Sequence, residues 1–518
     1  MKNLPLLTVL TATPLVGALL LACLGQQRQR LTRGLAMLFA LAGLGLAGFL
    51  WTHFDANATE LQFSERHDWI KSIGAEYFVG IDGLGLLMVM LTAIVTPIAM
   101  LASRNINEKT SLYYSLVLFL QAGLFGTFTA LNFVHWFVFW EMSLVPAFFL
   151  IKFWGGPKRS AAATQFFVYT MVGSVTLLLA FIAIYLSVGT FDFRELAGKG
   201  ANGELASAMN VKLGWGGLSR TQLPLIIFAG AFLGFAVKIP LIPFHTWLPG
   251  AYSEAPTGTV MLLTGVMSKM GVYGIIRILI PLFPDQMRMI LTPLSWLAVA
   301  TIVFSAFAAF AQTDLKRVFA YSSINHLGYC MLGIVAFVKL TGDGPQWNVE
   351  KSAAMNGVLL QMFNHGLTAP ILFCFVGFLE QRGGGLRGIN DFGGLRKVAP
   401  IFCGMMGIAI FASLGLPGLN GFVSEFLIFK GSYPLVTWAT AVSVLGLLVT
   451  AIFLLTVLQK VFNGPLNEKW SAFADLSRTE RFIVVPAIAL MFALGICPQL
   501  IIGKINVTVM QMIEQIRF

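Results

Sequence analysis

Glu141, Lys238, Lys269, His326 and Glu425 stand inside long apolar runs, and their side chains share one chemistry: each can take up and release a proton. Unpartnered in a bilayer, each would cost roughly 3 kcal/mol on insertion scales, and several together around 10 kcal/mol, comparable with the stability of a whole domain. Residues kept at such a cost mark ion pathways, proton relays or voltage sensors. A voltage sensor needs regularly spaced arginines along one helix, and the sequence has none.

Glu141 follows FVHWFVFW and precedes Met142, Ser143, Leu144 and Val145, so it is no helix-end anchor. Lys269, in MLLTGVMSKMGVYGIIRI, is equally out of snorkelling reach. Lysine suits proton carriage because burial and a nearby carboxylate pull its acidity in opposite directions, whereas arginine stays charged. His245 and His365 also fall in apolar runs. A single histidine there is more often a hydrogen-bonded packing residue, so these two rank below the other five.

The elements that must hold these groups are broken helices. In GFAVKIPLIPFHTWLPGAYSE, from Gly234 to Glu254, Pro240 and Pro243 remove backbone donors and should unwind a spanning helix just after Lys238. Unwound backbone is tolerated at membrane depth only where protein buries it or water lines it. In SLGLPGLNGFVSEFLIFKG, from Ser413 to Gly431, Pro417, Gly418, Asn420 and Gly421 make a second break, followed by Glu425. Interrupted helices at matching places in two halves are the mark of an inverted repeat with an ion site near the midplane.

With 57% hydrophobic and 11% charged residues, and a mean hydropathy of +0.80, the 518-residue chain is an all-α polytopic membrane protein; soluble domains carry about 25% charged residues. Apolar stretches near 4–24, 32–51, 81–103, 111–130, 132–154, 164–188, 222–245, 258–281, 290–311, 318–339, 353–379, 398–430, 434–462 and 481–503 predict about fourteen transmembrane helices. The expected organisation is one integral domain over 1–518. Helices 1–3 span 4–103, two inverted five-helix repeats occupy 111–281 and 290–462, and helix 14 spans 481–503. The first segment reads as a spanning helix and not as a cleaved signal.

The formal charge of +11 comes from bases in short loops, with no stripe that would suit nucleic acid. Odd-numbered loops carry Arg28, Arg30, Arg33, Arg104, Lys158, Arg159, Lys316, Arg317, Arg396 and Lys397, while even-numbered loops hold most of the acids. The positive-inside rule then places both termini on the non-cytoplasmic side. Five scattered cysteines indicate neither disulfides nor a metal or iron–sulfur site, and no dinucleotide-binding glycine fingerprint or haem ligand pair is present.

The passages FWEMSLVPAFFLIKFWGG, KIPLIPFHTWLPGAYSEAP, LLTGVMSKMGVYGIIRI, QTDLKRVFAYSSINHLGY, QMFNHGLTAPILF and LGLPGLNGFVSEFLIF resemble the antiporter-like proton-translocating subunits of respiratory complex I and its relatives. A glutamate ending the charged row, where other members have lysine, resembles the chain 4 (chain M) type, and the WGGPKR and GFVSE stretches lean towards its cyanobacterial or plastid NDH-1 variety, some forms of which serve CO2 uptake. The resemblance implies a membrane-arm subunit of an NAD(P)H or ferredoxin:quinone oxidoreductase, sited in a bacterial inner membrane or a thylakoid. It casts Glu141 and Lys238 as a coupling ion pair, Lys269 as central proton carrier, His326 as connector and Glu425 as far-side proton residue. It implies no cofactor on this chain, with the donor, iron–sulfur clusters and quinone (plastoquinone in the thylakoid forms) in other subunits. Its expected partners are other membrane-arm subunits, among them further antiporter-like chains, and lipid. Gly250 and Tyr252 depart from the family's WLPDAH pattern. Two other readings stay open: a Mrp-type cation/proton antiporter subunit, and a scaffold whose charges only join helices.

Overall fold

The computed structural model describes residues 4–25, 28–214, 218–341 and 345–515. Among them, eleven helices are long and apolar enough to cross a membrane, and the shorter apolar helices Leu6–Ala22, Gln222–Lys238 and Pro400–Ser413 fall at three more of the expected spans. The chain opens with α1 (Leu6–Ala22) and α2 (Gln29–His53), then the strands β1 (Gln62–Ile70) and β2 (Ala75–Ile81), then α3 (Gly83–Ala102). The first half follows as α4 (Thr110–Thr129), α5 (Phe133–Trp154), α6 (Arg159–Val188), the short α7 (Phe193–Ala201) and α8 (Glu204–Lys212), α9 (Gln222–Lys238) and α10 (Trp247–Glu254). Its last helix is one rod built of α11 (Thr257–Leu262), α12 (Lys269–Gly274) and α13 (Ile280–Leu282), joined by π-turns at Leu263–Met267 and Ile275–Leu279. After α14 (Pro284–Met289), the second half comprises α15 (Leu291–Phe310), α16 (Leu315–Val338), α17 (Pro345–Arg382), α18 (Pro400–Ser413), α19 (Asn420–Ser432) and α20 (Thr437–Phe462). The chain closes with α21 (Arg478–Ile496) and α22 (Gln499–Gln515).

Both predicted breaks are present. Helix α9 stops at Lys238 and α10 begins at Trp247; α18 stops at Ser413 and α19 begins at Asn420. The freed backbone groups find partners, as buried polar groups must. Leu241 N donates to Ala236 O (3.0 Å) and Ile242 N to Thr301 Oγ1 (3.1 Å), while Leu416 N donates to Phe411 O (3.0 Å). Gly415 and Gly418 take φ of +77° and +92° in the second break, a region glycine enters without a Cβ penalty.

Three features depart from the sequence expectation. The second loop forms an antiparallel hairpin, with Gln62 opposite Ile81 and Ile70 opposite Ala75. Its Glu65 accepts from Leu7 N at 2.8 Å, satisfying a free amide at the start of α1. The SERHD stretch of β1 reads as a polar connection and hides the strand. The sixth loop, which a count of apolar runs leaves as a bare connection, contains α7 and α8 in its described residues; its residues 215–217 lie outside them. The expected helix 481–503 is two helices: α21 ends at Ile496, before Pro498, and α22 packs back on α3, where Gly83 N donates to Thr508 Oγ1 (3.0 Å). Apolar residues continue through that proline, so hydropathy alone joins what the backbone separates.

One backbone exchange occurs twice. Phe133 N donates to Phe191 O and Phe193 N to Leu131 O, both at 2.9 Å, tying the start of α5 to the segment after α6. Leu315 N donates to Arg387 O (2.9 Å) and Ile389 N to Thr313 O (2.7 Å), tying the start of α16 to the segment after α17. Asn132 and Asp314 cap the two helices from the equivalent position.

The α11–α13 rod, α16 and α17 are almost entirely enclosed by their neighbours. Helices without an exposed face belong in a core. These three carry Lys269, His326 and His365.

Candidate functional site: a buried side-chain relay

Lys269 is fully buried at the first residue of α12, directly after a π-turn. Such bulges leave carbonyls free for other donors, and the Lys269 ammonium uses one: Nζ donates to Thr264 O, and also contacts Ser268 Oγ at 3.3 Å. Its third contact is His365 Nδ1 on α17, at 2.8 Å. An ammonium can only donate, so Nδ1 is then the acceptor and Nε2 is left for the next partner.

Beside it lies His326 on α16, whose ring is 5.0 Å from that of His365, centroid to centroid. His326 Nε2 is 3.1 Å from Ser413 Oγ, at the end of α18, and Nδ1 is 3.2 Å from Glu425 Oε1 on α19. Glu425 sits just past the second break. A Cβ on Gly415 would come within 2.7 Å of Glu425 Oε2, so the glycine leaves the carboxylate its space. Lys269, His365, His326 and Glu425 thus form one line of neighbouring titratable groups drawn from four helices. Polar side chains support it: Asn364 Nδ2 donates to Asn420 O (2.7 Å) and Ser424 Oγ (3.2 Å), and Ser424 Oγ to Gln361 Oε1 (2.6 Å).

The charge of Glu141 reaches Lys238, but not through a direct contact. No salt bridge within 4.0 Å connects them; the Lys238 ammonium lies 4.9 Å from the centre of the Trp140 ring. Trp140 stacks on Trp136 and meets Phe235 edge-on. A ring face holds a desolvated cation by about 2 kcal/mol, and Lys238 also ends α9, where the helix dipole favours positive charge. Glu141 is partly exposed on the helix surface, with Oε1 buried and without a hydrogen-bond partner. His245, in the first break, is half-buried, and its ring lies 6.2 Å from that of Tyr321. Tyr252, one of the departures from the family pattern, is buried, with its hydroxyl towards Ser268 and Thr264 beside Lys269.

Two further polar groupings escaped the sequence reading. Arg277 pairs bidentately with Asp82, at 2.8 and 2.5 Å, beside a cavity of about 390 Å³; an arginine inside IIRI was the available signal. Beside another cavity of about 310 Å³, Lys316 pairs with Glu380 (2.7 Å) and Arg387 with Glu254 (3.4 Å) and Asp314 (2.5 Å). This cluster ties the end of α10 to the start of α16 and the end of α17, so it links the two halves.

The model of the NADH:quinone oxidoreductase/Mrp antiporter transmembrane family matches residues 130–453, and that of the NADH-ubiquinone oxidoreductase chain 4 amino terminus matches residues 56–127. The chain belongs to the NADH:quinone oxidoreductase/Mrp antiporter family. Within it, NAD(P)H-quinone oxidoreductase chain 4 1 of Synechococcus elongatus is 35% identical, over all of this chain and 93% of its own length. The F(420)H(2) dehydrogenase subunit M of Methanosarcina mazei is also 35% identical, over 96% of each. Among solved structures, respiratory complex I from Thermus thermophilus contains a chain matching at a TM-score of 0.83 and 26% identity, over 98% of this chain and 99% of that one. A chain of the Mrp complex of a Dietzia species matches at the same TM-score with 19% identity, over 99% of each, which establishes a shared fold. The line of four titratable groups, the breaks and the Glu141 and Lys238 positions all lie inside the 130–453 match.

Proposed function

We propose that this chain is a chain 4 (subunit M) type proton-translocating subunit in the membrane arm of a quinone oxidoreductase, and that Lys269, His365, His326 and Glu425 carry the proton. The observation that supports it most strongly is the line of these four groups, three on the most enclosed helices and Glu425 on α19 beside them. Electron donor, iron–sulfur clusters and quinone belong to other subunits. Equal identity to relatives named for NAD(P)H and for F(420)H(2) favours that division of labour.

The two backbone exchanges support an inverted repeat. The helical segments α5, α6, α9–α10, α11–α13 and α15 separate them, and an odd number of crossings puts them on opposite faces. The charge pattern of the loops gives the orientation, with both termini on the non-cytoplasmic side. The partial exposure of Glu141 lets a neighbouring antiporter-like subunit act on it. When that subunit alters the distance between Glu141 and Lys238, the field at Lys269 changes, and its proton moves to His365, His326 and Glu425.

Lys269→Ala in the assembled complex tests this. Quinone reduction should persist to some degree with no proton transfer through this chain, and full transfer would overturn the assignment. The antiporter reading shares the family model and the fold, but the two 35% relatives are both named as oxidoreductase or dehydrogenase subunits. Copurification decides between them, since a complex without iron–sulfur and quinone-reducing subunits would favour the antiporter.

A further inference from the structure

His326 Nδ1 has two neighbours that make opposite demands. Glu425 Oε1, at 3.2 Å, accepts a bond only if Nδ1 carries hydrogen; Gln361 Nε2, also at 3.2 Å, donates one only if Nδ1 carries a lone pair. One ring nitrogen cannot satisfy both. Gln361 is buried on α17 one turn before His365, and its Oε1 accepts from Ser424 Oγ at 2.6 Å, which fixes its amide with the NH2 towards His326.

We infer that Gln361, acting through Ser424, is a positioning residue that opens and closes His326 Nδ1 to the proton passed to Glu425. The inference rests on the relay reading above. With the amide as it stands, Nδ1 keeps its lone pair, and the single ring proton sits on Nε2 and is donated to Ser413 Oγ. When a second proton, released by His365 as it takes one from Lys269, reaches the ring at Nδ1, the amide NH2 faces an N–H and must turn. Ser424 makes the turn inexpensive, because its hydroxyl has a second acceptor in Gly421 O at 3.0 Å. Once the hydroxyl swings there, its oxygen accepts from the turned amide, so donors and acceptors remain paired in both arrangements. The Nδ1 proton then passes to Glu425 Oε1, the ring returns to its neutral form with Nε2 protonated, and the amide turns back, closing Nδ1 against return. Asn364 Nδ2, bonded to Ser424 Oγ and Asn420 O, steadies Ser424 at the second break throughout.

The test uses the assembled complex with Gln361→Leu, Gln361→Glu and Ser424→Ala, reading proton translocation per quinone reduced and the infrared difference signature of labelled histidine. Gln361→Leu should slow translocation at least about tenfold, a modest share of what a positioned proton-transfer group contributes, and should change the imidazole tautomer signature. Gln361→Glu, which keeps the volume but replaces the donor by a charge that holds the ring cation, should slow release further. Ser424→Ala should cause a smaller loss that does not add to that of Gln361→Leu, since both act on one switch. Equal effects of leucine and glutamate with an unchanged tautomer signature would reduce Gln361 to a packing role and overturn the inference. Should Gln361→Leu fail to assemble, Ser424→Ala alone decides it: a wild-type rate and tautomer signature overturn the switch. Wild-type pumping in the Gln361 variants while Lys269→Ala stops it would also overturn the switch but leave the relay standing. Full pumping by Lys269→Ala would remove the relay itself.

Discussion

The two halves place an acid and a base on equivalent helices and treat them in opposite ways. In the first half the acid, Glu141, is on the second helix and the base, Lys238, ends the first arm of the broken helix; the two make no salt bridge, and the lysine lies over the Trp140 ring of an aromatic cluster. In the second half the base, His326, is on the second helix and the acid, Glu425, is on the broken one; they lie 3.2 Å apart among Gln361, Ser413 and Ser424. Aromatic walls isolate a charge and make its field strong at a distance, whereas amides and hydroxyls pass protons between neighbours. On the proposed reading, the same architecture serves as a switch on one side and a conductor on the other.

Breaking the conductor should have the larger effect. Glu425→Gln keeps the size and an acceptor for His326 Nδ1 but cannot hold the proton. Translocation through this chain should fall by about a hundredfold or more, the scale of a lost acid–base group, as measured by dye quenching in vesicles carrying the complex. Disturbing the switch should cost less. Trp140→Leu removes the ring beneath the Lys238 ammonium, an interaction of about 2 kcal/mol when desolvated. It should weaken coupling several-fold while leaving quinone reduction intact. A loss as deep as that of Glu425→Gln would mean that Lys238 lies on the proton path itself, and would erase the distinction between the halves.

Much of this was legible in the sequence because its signals are local. Twenty-residue apolar runs, prolines and glycines inside them, and charges too costly to leave unpartnered pointed to the helices, the two breaks and five titratable residues. What stayed hidden depends on which helix faces meet. His245 and His365 look alike in sequence, yet one lies 6.2 Å from a tyrosine ring in an unwound segment and the other bonds Lys269. Gln361 and Ser424 carry no charge, so no insertion cost flags them; only their distances to His326 and to each other reveal a role. The Glu141–Lys238 coupling pair is what the resemblance implies, and a resemblance does not report that Trp140 lies against the lysine.

The most direct test of the relay compares His365→Phe with His245→Phe in the same assembled complex, measuring protons translocated per quinone reduced. The relay predicts that His365→Phe, which keeps a ring between Lys269 and His326 but cannot accept a proton, loses translocation through this chain, while His245→Phe stays near wild type. Full translocation by His365→Phe, or an equal loss in both variants, would contradict it.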